Sequence, residues 1–127
     1  MEASYKDSRG KLKVGIVGSR KRKDKESVYK LVDSLDEKDI VVSGGCRGVD
    51  TWAEERALQR GLRVKIYKPK LYMVQSRQDV IQRYYDRNKI VASESEVLYA
   101  FVSEDRKGGT ENTIKWARLL GKRVVIK

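Results

Sequence analysis

The chain has no histidine, one cysteine, one proline and two methionines among its 127 residues. Without histidine, the Ser-His-Asp and Cys-His arrangements are excluded and zinc has no imidazole ligand. A lone Cys46 excludes an internal disulfide and suits a reducing cytoplasm. No apolar run approaches the roughly 20 residues needed to span a bilayer, and the opening residues carry no signal-peptide core. A cytoplasmic protein without a membrane partner is therefore expected. Low-complexity stretches, repeats and dividing linkers are also missing, which leaves a loose start over residues 1–11 and one domain over 12–127. Acidic residues are in the minority: 18 Asp and Glu face 29 Lys and Arg, a formal charge of +11. That excess favours polyanionic partners or ligands, and it is equally the composition of a heavily ionised thermophile surface.

Short apolar runs alternate with amphipathic stretches. Leu12 to Gly18 is a β-branched run ended by glycine, and Ile40 to Ser43, Leu62 to Tyr67, Val97 to Val102 and Arg123 to Ile126 read as four further strands. Between the first two, Val28, Leu31, Val32 and Leu35 fall three and four apart, which is one face of a helix over Asp24 to Leu35. Asp50 to Arg60 reads as a second helix, with Thr51 and Glu54 in capping-box spacing and Gly61 behind it. Ser76 to Ala92 and Thr110 to Leu120 complete the set, the last closed by Gly121. Near-continuous apolar strands separated by helices predict a doubly wound α/β domain: a five-stranded parallel sheet covered on both faces.

Three strand-to-helix junctions carry glycine: Gly18-Ser19-Arg20, Ser43-Gly44-Gly45-Cys46-Arg47-Gly48-Val49-Asp50 and Lys107-Gly108-Gly109-Thr110-Glu111-Asn112. Such turns aim free backbone N–H groups and positive helix ends at one place, an anion site. In a parallel sheet these turns leave at one edge, and ligands bind where the strand order reverses. With the order 3-2-1-4-5, strands two, one and four are adjacent and their turns converge. A glycine is also the ordinary residue of any tight turn, so each alone says little. Neither G-x-G-x-x-G nor G-x-x-x-x-G-K-[ST] occurs, which removes the standard dinucleotide and Walker sites.

Gly18-Ser19-Arg20, the S-G-G-x-x-G-x-D turn from Ser43 to Asp50, the Arg87-Asn88 pair and Gly108-Gly109-Thr110 together resemble the SLOG superfamily of Rossmann-like domains. Within it the likeness is closest to the DprA (Smf) DNA-processing domain and its small stand-alone relatives, over residues 12–127. The resemblance implies that these turns hold a nucleotide or nucleotide derivative, and that single-stranded DNA is the partner in the DprA branch. It also gives part of the expectation of a homo-oligomer. The same superfamily includes phosphoribohydrolases with a P-G-G-x-G-T-x-x-E motif. Here Lys107 precedes the glycines and Thr113 stands where that glutamate belongs, so the catalytic role does not pass by position to Glu111.

Two readings stand for Asp50: a helix N-cap, with Thr51 able to replace it, or an acceptor for a sugar hydroxyl or a base. Arg47, between two glycines, is a candidate anion contact or a solvated side chain. Asparagine is a poor mid-helix residue, so Arg87 and Asn88 either face water or satisfy buried polar groups beside the ligand. Arg20, Lys21, Arg22 and Lys23 follow the first strand as a basic run, either a solvated loop or a nucleic-acid contact. Tyr84 and Tyr85 suit base stacking or core, and with Trp52 and Trp116 they are candidates for one oligomer face.

The leading expectation is nucleotide binding at the strand edge without strong catalysis. Single-stranded nucleic-acid binding comes second and nucleotide N-glycosidic hydrolysis third. No metal or tightly held cofactor is implied beyond that nucleotide-like ligand.

Overall fold

The computed structural model describes residues 12–127, so the segment expected to be loose over 1–11 lies outside them. Strands β1 (Lys13–Gly18), β2 (Ile40–Ser43), β3 (Arg63–Ile66), β4 (Val97–Phe101) and β5 (Arg123–Ile126) alternate with helices α1 (Lys25–Asp33), α2 (Val49–Gln59), α3 (Arg77–Glu94) and α4 (Gly109–Leu119). The strands form one sheet in the order β3-β2-β1-β4-β5, every pair parallel, as the alternation predicts.

Strand side chains point alternately to the two faces, so β1 feeds two cores. Val14 and Ile16 join Val28, Leu31 and Val32 of α1 and Val49 and Ala53 of α2. Val17 joins Val91 and Ala92 of α3 and Ile114 and Ala117 of α4. Each fully buried valine or isoleucine contributes about 1.5–3 kcal/mol, and these two layers hold the sheet on both sides. Trp52 packs against the first core and Trp116 against the second. The four aromatic residues expected to share an oligomer face are therefore divided by the sheet.

Of the four helix starts only α3 has a side-chain cap; Asp24 at the start of α1 gives its carboxylate to Arg22, and α4 starts at Gly108. Ser76 caps α3 by accepting from the Asp79 N–H at 3.1 Å, while Asp79 accepts from the Gln75 N–H at 2.9 Å. Gly61 and Gly121 adopt positive φ after α2 and α4, as expected. The capping box at the start of α2 does not form. Gly48 occupies the cap position, Thr51 donates its hydroxyl to the Cys46 carbonyl at 2.7 Å, and Glu54 accepts from Ser43 Oγ. Both side chains have stronger partners in the β2–α2 turn than the helix end offers.

Candidate functional site

At the C-terminal edge of the sheet the turns after β1, β2 and β4 surround a crevice of about 570 Å³. The two halves of the sheet wind away from each other here, because β1 has β2 on one side and β4 on the other. Gly18, Ser19, Arg20 and Lys21 line it from the first turn, and Gly44, Cys46 and Asp50 from the second. Lys107, Gly108, Gly109 and Thr110 line it from the third, and α3 supplies Ile81, Tyr84, Tyr85, Arg87, Asn88 and Val91.

Gly18 is required for packing. A Cβ there would lie 2.5 Å from Val49 Cγ2, so only glycine lets α2 start this close to β1. Gly108 has no side-chain cap above it, which leaves the first N–H groups of α4 uncapped by any side chain at the crevice. Such a helix end attracts anions, reinforced here by Lys107 on the same turn.

The crevice floor is a buried polar strut. Arg87, only 6% exposed, donates to the Gly44 carbonyl, to Cys46 Sγ at 3.3 Å and to Asn88 Oδ1 at 3.0 Å. Asn88 in turn donates to Asn112 Oδ1 at 3.1 Å and to the Gly109 carbonyl at 3.4 Å. The pair thus ties the β2 turn to the β4–α4 turn, which explains an asparagine in mid-helix. Asp50 accepts from the Gly44 and Cys46 N–H groups at 3.0 and 3.3 Å, both through Oδ2. It does not cap its own helix; it braces the preceding turn. Burial pushes its carboxyl up to about 7, against the opposing pull of those N–H groups and Arg87.

Several expected residues do not line the crevice. Ser43 turns its hydroxyl to Glu54 and accepts from the Gly45 N–H. Gly45 has φ +72 and its missing Cβ faces Lys68 and Ile66, so it shapes the turn from behind. Gly48, at φ +83, occupies the α2 cap, and Arg47 is exposed outside the crevice. Glu111 is held bidentately by Arg106 at 2.7 and 3.0 Å, away from the pocket.

The basic run divides in the same way. Arg22 grips both carboxylate oxygens of Asp24, donates to the Val102 and Lys127 carbonyls at 2.9 Å each, and stacks on Phe101. Arg22 thus acts as a structural clamp between the start of α1 and the chain after β4 and β5. Lys21 pairs with Asp105, whereas Arg20 and Lys23 are exposed. The sequence reading missed Lys107 and the apolar Val17, Ile81 and Val91 as lining residues, and also Cys46 and Thr113. For Cys46 and Thr113 the only signal was position, one inside the glycine turn and the other one helical turn past Gly109.

A doubly wound α/β domain with a crevice at the reversal of strand order is the class these features define. The family model for DNA recombination-mediator protein A matches residues 5–66. Among solved structures, DNA processing protein A (DprA) from Streptococcus pneumoniae matches with a TM-score of 0.74 at 22% identity, over 91% of this chain and 50% of that one. The chain thus spans about half the length of that protein. The C-terminal domain of a hydrogenase from Pyrococcus furiosus shares the fold more loosely, with a TM-score of 0.52 and 12% identity over 95% of this chain and 93% of that one. No curated protein matches the sequence. The chain is similar to the DNA recombination-mediator protein A family over residues 5–66 and has the Rossmann-like fold of DprA. Among the described residues, no helix is long and apolar enough to cross a membrane.

Proposed function

We propose that this domain binds single-stranded nucleic acid of DprA type, with one nucleotide unit held in the crevice and the flanking backbone on the basic rim. The observation that carries this reading is the meeting of an uncapped helix start, the cations Arg20, Lys21 and Lys107, and the aromatic side chains Tyr84 and Tyr85 at one crevice. Phosphate is attracted to the first two and a base stacks on the third. The match to the DprA family model and the net charge of +11 favour a nucleic-acid partner. A crevice of about 570 Å³ suits a single nucleotide.

A second reading, a free nucleotide as the ligand, is favoured by Asp50, since a carboxylate in the crevice wall resists a phosphate chain running across it. Titration with oligothymidylates of increasing length at two salt concentrations, beside mononucleotides, separates the two. Affinity that rises with length and falls steeply with salt supports nucleic-acid binding, with a slope of about −0.7 per phosphate contact. Saturable mononucleotide binding with shallow salt dependence supports the second reading. Binding of neither overturns both.

A further inference from the structure

Asp50 is 4% exposed, yet its carboxylate is only half used. Both of its hydrogen bonds go through Oδ2, to the N–H groups of Gly44 and Cys46, and Oδ1 has no partner among the described residues. Those residues contain no sealed side-chain oxygen or nitrogen without a partner, so Oδ1 is open, and Asp50 lines the crevice. A buried acceptor held in fixed orientation and left open on a ligand cavity is a recognition group.

Resting on the reading that the crevice holds a nucleotide unit, we propose that Asp50 Oδ1 is a specificity-determining acceptor that takes a hydrogen-bond donor from the nucleotide, a sugar hydroxyl or an exocyclic amino group. The surrounding charges orient the ligand. Arg87 on α3 already donates to Gly44, Cys46 and Asn88, so it does not fill the open side of Asp50. Glu54 on α2 adds negative charge nearby. A phosphate is repelled from this end, while the α4 start and Lys107, on the far side of β1, attract it. The ligand therefore lies across the β1 turn with its phosphate toward α4 and its donor toward α2.

The experiment measures binding of ribonucleoside 5′-monophosphates, their 2′-deoxy and 3′-deoxy counterparts, inosine monophosphate and purine riboside monophosphate to the wild type and to folded Asp50→Asn and Asp50→Ala. Inorganic phosphate serves as the control. At pH 8, where the Asp50 carboxyl is ionised despite being raised to about 7, loss of one donor, on the sugar or on the base, weakens wild-type binding about ten- to a hundredfold, the usual range for a hydrogen bond to a charged group. That discrimination falls to within about twofold in Asp50→Ala, and phosphate binding persists. Asp50→Asn keeps an oxygen for the two N–H groups and turns an amide donor into the crevice, so the preference shifts toward nucleotides with an acceptor there. Discrimination that survives in the folded variants overturns the inference, as does a wild type indifferent to every donor. Loss of phosphate binding together with nucleotide binding in Asp50→Asn reduces Asp50 to a brace for the turn and also overturns it. A wild type that binds oligonucleotides but no mononucleotide at millimolar concentration overturns the inference and leaves the nucleic-acid reading standing. Binding of neither ligand removes both.

Discussion

Asp50 and Arg87 hold the two ends of one residue: Asp50 accepts from the Gly44 N–H at 3.0 Å, and Arg87 donates to the Gly44 carbonyl. The β2 turn is clamped from α2 on one side and from α3 on the other, across the sheet edge. Crevice shape and fold stability therefore depend on the same contacts.

Replacing Arg87 with Met should destabilise the domain by about 2–4 kcal/mol, because it orphans the Gly44 carbonyl and removes the cation beside a buried carboxylate. Lysine at this position restores the charge without the planar fork and should recover only part of the loss. Urea denaturation of the two variants measures the difference.

The raised carboxyl of Asp50 predicts an unusual pH dependence. Its unfolded value is near 3.9 and its folded value about 7, so the native state holds the proton more tightly between them. Below pH 4 both states are protonated and nothing is lost. As pH rises from 4 to 7 the unfolded chain releases its proton first, so this group's contribution to stability falls. Asp50→Asn should therefore gain on the wild type over that window, by about 2–4 kcal/mol at pH 7. Melting curves at a series of pH values test the sign, and a stability gap that narrows with rising pH refutes it.

Gly18 and Gly45 should fail for different reasons. Gly18→Val drives a side chain into Val49 and should cost about 1–3 kcal/mol by overpacking. Gly45→Val is strained by φ +72, but its side chain points to Lys68 and Ile66. It should lower the melting temperature while the folded fraction keeps its ligand affinity. A selective loss of nucleotide binding in Gly45→Val would contradict this geometry.

In the basic loop, Arg22→Ala should act on stability and Lys23→Ala on polyanion binding. Arg22 closes the start of α1 against the end of β4 through Asp24 and two carbonyls. Lys23 is exposed and free to contribute to the salt slope of oligonucleotide binding. Thermal melts and binding at two salt concentrations should separate the two variants cleanly.

The fold was legible because burial imposes period. Val28, Leu31 and Val32 repeat at helical spacing, and the apolar strands mark a sheet covered on both faces. The meeting of Gly18, Gly44 and Gly109 followed from the strand order alone. The directions of individual side chains did not follow. Nothing in the spelling of the second turn distinguishes Gly44, on the crevice, from Gly45 behind it, since a positive φ reverses the side-chain direction between neighbours. Likewise Thr51 and Glu54 match a capping box in spacing, but the Cys46 carbonyl and Ser43 hydroxyl claimed them. Arg22 was hard to tell from its basic neighbours because, besides the nearby Asp24, its carbonyl partners Val102 and Lys127 lie 80 and 105 residues along the chain.

The division of the two tryptophans by the sheet supplies a pair of built-in optical reporters. Trp116 sits in the layer of α3 and α4, with the Lys89 ammonium 4.7 Å from its ring, and α3 also forms the crevice wall. Trp52 belongs to the opposite layer. A Trp52→Phe variant should therefore emit from the crevice side alone, so that ligand titrations can be followed in the unlabelled protein by its own fluorescence. The reciprocal Trp116→Phe variant should stay silent on ligand addition and respond only when the far layer melts, which would allow the two layers to be timed separately in one unfolding experiment.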